Sequence, residues 1–270
     1  MAAGPTADVR VVRYPAGTAD ADVLAVEEPV EIRVDGDPLA VTMRTPGDDP
    51  ELAAGFCLTE GVIDHPDDLE RAEACTLADY GNVVLVTLAG DARGRWQERK
   101  GRVRRDLYLS SSCGLCGVET IDRIARRVGP LAAGFAVSSR VLESLPAAMA
   151  DAQPTFTRTG GLHAAALFTP DGRLRLLRED VGRHNAVDKL IGALLLSGQL
   201  PCGPGVLLVS GRASFELVQK AGRAGIGFLA AVGAPSSLAV DAAARFGMTL
   251  VGFLRPDRFN VYAHPERVVA

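Results

Sequence analysis

Gly205-Val206-Leu207-Leu208-Val209-Ser210-Gly211-Arg212-Ala213-Ser214 decides the fold. A short, wholly apolar run ends in a polar turn with glycine, and Ser214–Ala224 continues at helical spacing, which is the pattern of a buried strand feeding a helix. The pattern repeats downstream. Gly227–Val232 reads as a strand, Ala234-Pro235-Ser236-Ser237 as the turn, Ser237–Phe246 as a helix and Thr249–Phe253 as a third strand. Strand and helix alternating in this way predict a sheet with parallel members and covering helices, the α/β class.

Working outward, Asn185–Leu196 carries apolar residues at 187, 190, 191 and 194 and predicts an amphipathic helix. His163–Phe168 and Arg173–Leu177 flank Pro170-Asp171-Gly172, a hairpin signal. A helix is expected over Ser139–Ala150, capped by Ser138 or Ser139. The first 110 or so residues look β-rich: Val30–Val34 and Leu39–Met43 alternate around the Asp35–Pro38 turn, and Pro50 opens a helical segment to Glu60. Val83–Leu88 and Val103–Leu109 read as strands around a basic run, and Gly129-Pro130 interrupts both textures. The division expected is 1–130, a smaller β-rich part, and 131–270, an α/β domain.

Composition bounds the function. The chain has 270 residues, 47% hydrophobic, with 29 Lys plus Arg against 33 Asp plus Glu, and a net charge of −4. That balance argues against a general nucleic-acid or acidic-membrane binder. An odd count of five irregularly spaced cysteines, and no apolar signal-peptide core in Met1–Gly17, predict a reducing, cytoplasmic setting. No stretch approaches the roughly 18 apolar residues of a membrane span.

Ser110-Ser111-Ser112-Cys113-Gly114-Leu115-Cys116-Gly117 places two cysteines three apart in a glycine-lined turn. Metal binding, disulfide exchange and sulfur carriage all use the thiolate, which nearby cations and a helix N-terminus favour. Arg93, Arg95, Arg99, Lys100, Arg102, Arg104 and Arg105 precede the turn, and Val118–Arg127 follows it at helical spacing. Most such arginines form a solvated edge that discourages strand pairing; beside Cys113 they also offer a favourable field. A structural zinc needs four ligands, whereas Cys57, Cys75 and Cys202 occur singly, so no structural metal is expected. A thioredoxin-like site expects its cysteines near the start of a βαβ unit. Sulfur carriage meets no contradiction.

In the α/β half, the turns at 210–214 and 234–237 follow strands and open helices, where backbone N–H groups receive anions. Singly, Ser214, Ser236 and Ser237 are best read as helix caps. Together with Ser210, Arg212 and Arg183 they predict an anionic ligand. His184 lies beside Glu179, Asp180 and Asp188, which permits acid–base work or, more commonly, a structural ion pair. His163 reads as a hydrogen-bonded core histidine and His65 as a surface loop residue.

Cys113-Gly114-Leu115-Cys116-Gly117-Val118-Glu119, Thr159-Gly160 with His163–Ala166, Glu179–Lys189 (EDVGRHNAVDK), Ser210–Lys220 and Leu250–Phe253 resemble the FdhD/NarQ family, in order and from about residue 25 onward. The resemblance implies a sulfur carrier for formate dehydrogenase. Such a carrier takes persulfide sulfur from a cysteine desulfurase and passes it to the molybdenum (or tungsten) bis-pterin guanine dinucleotide cofactor. It implies Cys113 as the persulfide site, Cys116 as its assistant, and Phe253-Leu254-Arg255-Pro256-Asp257-Arg258 as the cofactor-binding segment, for whose ligand GDP is a mimic. It further implies a homodimer and a cytidine deaminase-like three-layer α/β/α domain. Gly161 and Gly211 stand where some relatives carry Cys and Ser. Zinc-dependent deamination, which that fold analogy raises, needs H-x-E or C-x-E and P-C-x-x-C; His184-Asn185-Ala186 and Ser210–Phe215 supply neither. A chaperone that only binds the cofactor is the non-catalytic alternative, and it predicts that Cys113 is dispensable.

Overall fold

The computed structural model describes residues 4–76, 82–111, 128, 131 and 134–270. Cys113, Cys116 and the helix expected over Val118–Arg127 lie outside them. The chain opens with an antiparallel hairpin, β1 (Thr6–Arg13) and β2 (Thr18–Ala25). β3 (Glu28–Val34), β4 (Asp37–Arg44), β5 (Leu69–Ala74) and β6 (Val83–Leu88) form a sheet in the order β4-β3-β6-β5. Helix α1 (Asp49–Thr59) joins β4 to β5, with Pro50 in its first turn, and α2 (Ala92–Ser111) follows β6.

β7 (Val137–Ser138) leads into α3 (Ser139–Asp151), whose Ser138 cap accepts from the Val141 amide, and α4 (Pro154–Thr159) follows. Then come β8 (His163–Phe168), β9 (Leu174–Asp180), α5 (Arg183–Leu196), β10 (Val206–Val209), α6 (Phe215–Arg223) and β11 (Phe228–Ala231). α7 (Ser237–Phe246), β12 (Thr249–Arg255), β13 (Arg258–Ala263) and β14 (Val268–Val269), which pairs with β7, complete the chain. The main sheet runs β13-β12-β11-β10-β8-β9; β10, β11 and β12 are parallel and the other pairs antiparallel. Alternate strand residues feed two cores. Ala164, Ala166, Phe168, Leu208 and Phe228 pack with Leu142 and Leu145 of α3, while Ala165, Leu167, Leu207 and Leu229 pack with α5, α6 and α7. The mixed α/β expectation holds.

Two expectations need correction. Val103–Leu109 is helix, not strand: α2 runs through the whole basic segment. Ala92, Trp96 and Val103 recur at spacings of four and seven and are fully buried, so a helical face outweighs a short apolar run. Nor are the first four cations of the basic run unpaired. Arg93, Arg95, Arg99 and Lys100 pair with Glu70, Asp68, Asp64 and Asp37 respectively.

α5, expected to be amphipathic, is buried from Asn185 through Leu195 on every side. One side lies on the sheet and the other on α1, and the two helices touch backbone to backbone. A Cβ on Gly192 would lie 1.7 Å from the Glu51 carbonyl oxygen, and one on Gly55 would lie 1.9 Å from that of Asp188. The polar residues of α5 serve this contact. Lys189 Nζ reaches Asp180 and the Thr45 carbonyl, each at 2.8 Å, and Asn185 donates to the Met43 carbonyl at 2.7 Å. Asp188 accepts from Thr59 at 2.8 Å and from Lys220 at 2.9 Å, and Lys220 also reaches Glu60 at 2.7 Å. Buried charges persist only when so partnered. The EDVGRHNAVDK block therefore clasps the first 60 residues onto the α/β half.

Candidate functional site

The carboxyl ends of β10, β11 and β12 open on one edge of the main sheet, where crossover turns leave backbone groups for a ligand. β8 runs antiparallel to β10, so its first residue, His163, sits at that same edge, and so does the end of β9 at Asp180. The turns are laced together. Val232 N donates to Val209 O at 3.0 Å, Gly233 N to Gly211 O at 2.9 Å, Ala213 N to Ala234 O at 3.1 Å, and Phe253 N to Gly233 O at 3.0 Å. Glycine at 233 is required, because a Cβ there would lie 2.8 Å from Gly211 O and 2.9 Å from Arg212 backbone atoms. The segments at 210–214, 233–237 and 253–255, distant in sequence, thus form one continuous rim.

Individual residues divide by role. Ser210 is a brace, its hydroxyl accepting from Ala164 N at 2.9 Å and lying 3.4 Å from His163 Nδ1. Ser236 caps α7 by accepting from Ala239 N, and Ser237 is exposed in the first turn of that helix. Ser214 precedes α6 without capping it; its hydroxyl lies 3.4 Å from His184 Nε2. Arg212 is exposed. In the 253–258 segment, Phe253 presents an exposed ring from a left-handed backbone (φ 53°), whereas Leu254 is fully buried. Arg255 donates at 2.8 Å to the carbonyls of Val232 and Leu254, so it holds the rim rather than reaching into solvent. Pro256 and Asp257 turn the chain into β13, and Arg258 pairs at 3.3 Å with Asp257, both well exposed.

The acid–base reading of His184 changes. Asp180 and Asp188 are committed to Lys189 and Lys220, and Glu179 accepts from the amides of Thr155 and Phe156. None of the three partners the imidazole. Burial, then the neighbouring Lys220 and Arg183 charges, push His184 down to about 4, so it is neutral at pH 7. His163, read as a core histidine, is a half-buried rim residue, lowered by burial and by Arg183. Burial pushes the Glu216 carboxyl up, but its own amide, the Ser214 hydroxyl and nearby positive charge bring it below the usual range. Among the described residues no group of three or more His, Cys, Asp or Glu is arranged to hold a metal ion. Cys57 is buried and its thiol pushed up by that burial, which makes it inert.

The signature segments from Glu179 onward thus fall on one rim and on the clasp beneath it, and the sequence profile of the FdhD/NarQ family matches residues 25–269. The chain belongs to the FdhD/NarQ family. Its FdhD relatives include a protein from Streptomyces avermitilis named "Sulfur carrier protein FdhD", 53% identical, covering 92% of this chain and 89% of that protein. One of the same name from Mycolicibacterium paratuberculosis is 50% identical over 96% of this chain and 97% of its own. A solved structure from Desulfotalea psychrophila, described as a formate dehydrogenase accessory protein, superposes with a TM-score of 0.75, 27% identity and 98% coverage of both chains. No helix among the described residues of this FdhD/NarQ chain is long and apolar enough to cross a membrane.

Proposed function

We propose that this chain carries sulfur, as a persulfide on Cys113 with Cys116 assisting, from a cysteine desulfurase to the bis-pterin guanine dinucleotide cofactor of formate dehydrogenase. The cofactor, with molybdenum or tungsten, is the substrate, and its guanine nucleotide ends rest on the strand-end rim. The observation that carries the reading is the lacing of the 210–214, 233–237 and 253–255 segments into one rim, in a chain whose relatives are named sulfur carriers. Helix-start amides on that rim suit phosphates and the exposed Phe253 ring suits a planar heterocycle. We further assign the half from residue 131 to the cytidine deaminase-like three-layer arrangement, with residues 1–130 as the accessory part, and the working form to a cytoplasmic homodimer.

The test is complementation. Cells lacking their own carrier are supplied with this chain or its Cys113→Ala variant, and formate dehydrogenase activity is measured. The wild type is expected to restore activity and the variant to fail while still binding GDP. Full restoration by Cys113→Ala makes the chain a binding chaperone instead.

A further inference from the structure

The β1–β2 hairpin has an edge that no strand covers. β2 lies against α4, whereas among the described residues β1 pairs only with β2, in a two-stranded sheet. Such a ribbon is marginal in water by itself, and three or more strands are needed to shelter a face. The family profile begins at residue 25, so nearly all of the hairpin precedes the stretch it matches. The register says what the edge offers. Val26 N donates to Pro5 O and Thr6 stands opposite Ala25, so by the alternation of an antiparallel ladder Ala7, Val9, Val11 and Arg13 bond to β2. Thr6, Asp8, Arg10 and Val12 then turn their N–H and C=O groups outward. Asp8 and Arg10 are exposed, and among the described residues neither side chain makes a hydrogen bond or ion pair. Charges on an open edge ordinarily discourage pairing. These two have opposite signs and lie two residues apart, which favours one particular partner.

We propose that a second copy of this chain pairs along that edge, β1 against β1 about a two-fold axis through Val9, to make a continuous sheet in the order β2-β1-β1-β2. The inference rests on the homodimer assigned above and names the surface that forms it. In antiparallel self-pairing, outward backbone groups must face outward backbone groups, which near the middle of β1 leaves registers centred on Asp8, Val9 or Arg10. Centring on Asp8 sets two aspartates opposite each other, and centring on Arg10 sets two arginines opposite. Centring on Val9 places Asp8 across from Arg10 of the second copy twice over, with both charges otherwise unpaired. On the other face Val9 then meets Val9, and Ala7 meets Val11, extending the apolar row that Leu24 borders from β2. A slip of one residue leaves the outward N–H and C=O groups unmatched, and a slip of two opposes like charges, so the sequence of β1 fixes a single self-complementary register.

Sedimentation equilibrium of wild type, Asp8→Arg, Arg10→Asp and the double variant tests this, with thermal melts to check that each is folded. Wild type is expected to be a dimer. Either single reversal sets two like-charged pairs across the axis and should weaken association by about tenfold or more. The double variant merely exchanges the signs, and should return to within a few-fold of wild type. A second arm reads the register. Opposed residues of a non-hydrogen-bonded pair have Cα atoms about 4.5 Å apart, within reach of a disulfide. Val9→Cys, in a chain that also carries Cys113→Ser and Cys116→Ser, should therefore give a covalent dimer on mild oxidation, its bridge mapped by peptide analysis to position 9. Single reversals that leave association unchanged, a double variant no tighter than the singles, or a Val9→Cys dimer that forms no bridge would overturn this inference and leave the homodimer standing on another surface. A wild type that stays monomeric at every concentration measured would overturn both.

Discussion

Gly192→Ala places a methyl group where the α1 backbone already lies. The added Cβ would be 1.7 Å from the Glu51 carbonyl oxygen, 2.5 Å from its carbon and 2.9 Å from its Cα, and no rotamer relieves contact with backbone. Ordinary contact begins near 3.4 Å, so α1 must retreat by about 1.7 Å. A gap of about 1 Å already forfeits up to half of a dispersion well, and α1 buries Leu52, Ala53, Ala54, Cys57 and Leu58 in the shared core. The expected loss is about 3 kcal/mol or more, the upper end of overpacking. It outweighs the roughly 1 kcal/mol that alanine gains over glycine in a helix. At about 2–4 °C per kcal/mol for a chain of this size, the melting temperature should fall by about 6–12 °C in calorimetry. Gly94→Ala is the control: it lies within α2 with nothing within 4 Å of its added Cβ, and should melt at or above wild type. Equal melting of Gly192→Ala and wild type would refute the backbone contact between α1 and α5.

His184 titrates near 4 in the folded chain and near 6.5 when unfolded, so the unfolded state binds the extra proton between those values. Stability should therefore fall by up to about 3 kcal/mol as pH drops from 6.5 to 4. Denaturant titrations of His184→Gln should show a shallower decline over that window, and an identical one would count against the buried, neutral imidazole. Lys220→Met strands Asp188 and Glu60 and should cost about 3–5 kcal/mol in urea unfolding. Adding Asp188→Leu should recover part of that loss, and an additive loss would refute the pairing. Metal analysis of a tag-free preparation should find no stoichiometric zinc; one zinc per chain, released on changing Cys113 or Cys116, would contradict the sulfur-carrier chemistry.

The second half was legible because its signals are local. Val206–Val209 and Phe228–Ala231 are short and wholly apolar, each ends in a serine- or glycine-bearing turn, and the turns named from those patterns do meet on one rim. α5 was misread because Asn185, Asp188 and Lys189 look like a solvent face, whereas their partners Met43, Thr45 and Thr59 lie more than 100 residues away. Charge complementarity at that separation leaves no trace in periodicity. α2 hid behind its arginines, although Ala92, Trp96 and Val103 carried the spacing. The β1–β2 hairpin does alternate, in Ala7-Asp8-Val9-Arg10-Val11 and Ala19-Asp20-Ala21-Asp22-Val23, but it buries no residue fully and its small, charged residues make a weak strand signal. At the site, Arg255 and Arg258 were read as equivalent; carbonyl oxygens engage the first and a carboxylate the second.

Intact-mass spectrometry of the chain after incubation with a cysteine desulfurase and cysteine tests the central claim most directly. The account predicts a reducible gain of one sulfur atom, mapped by peptide analysis to Cys113, absent from Cys113→Ala and transferred away on adding the guanine dinucleotide cofactor. A wild-type chain that gains no sulfur, or that carries it on Cys57, Cys75 or Cys202 instead, would contradict it.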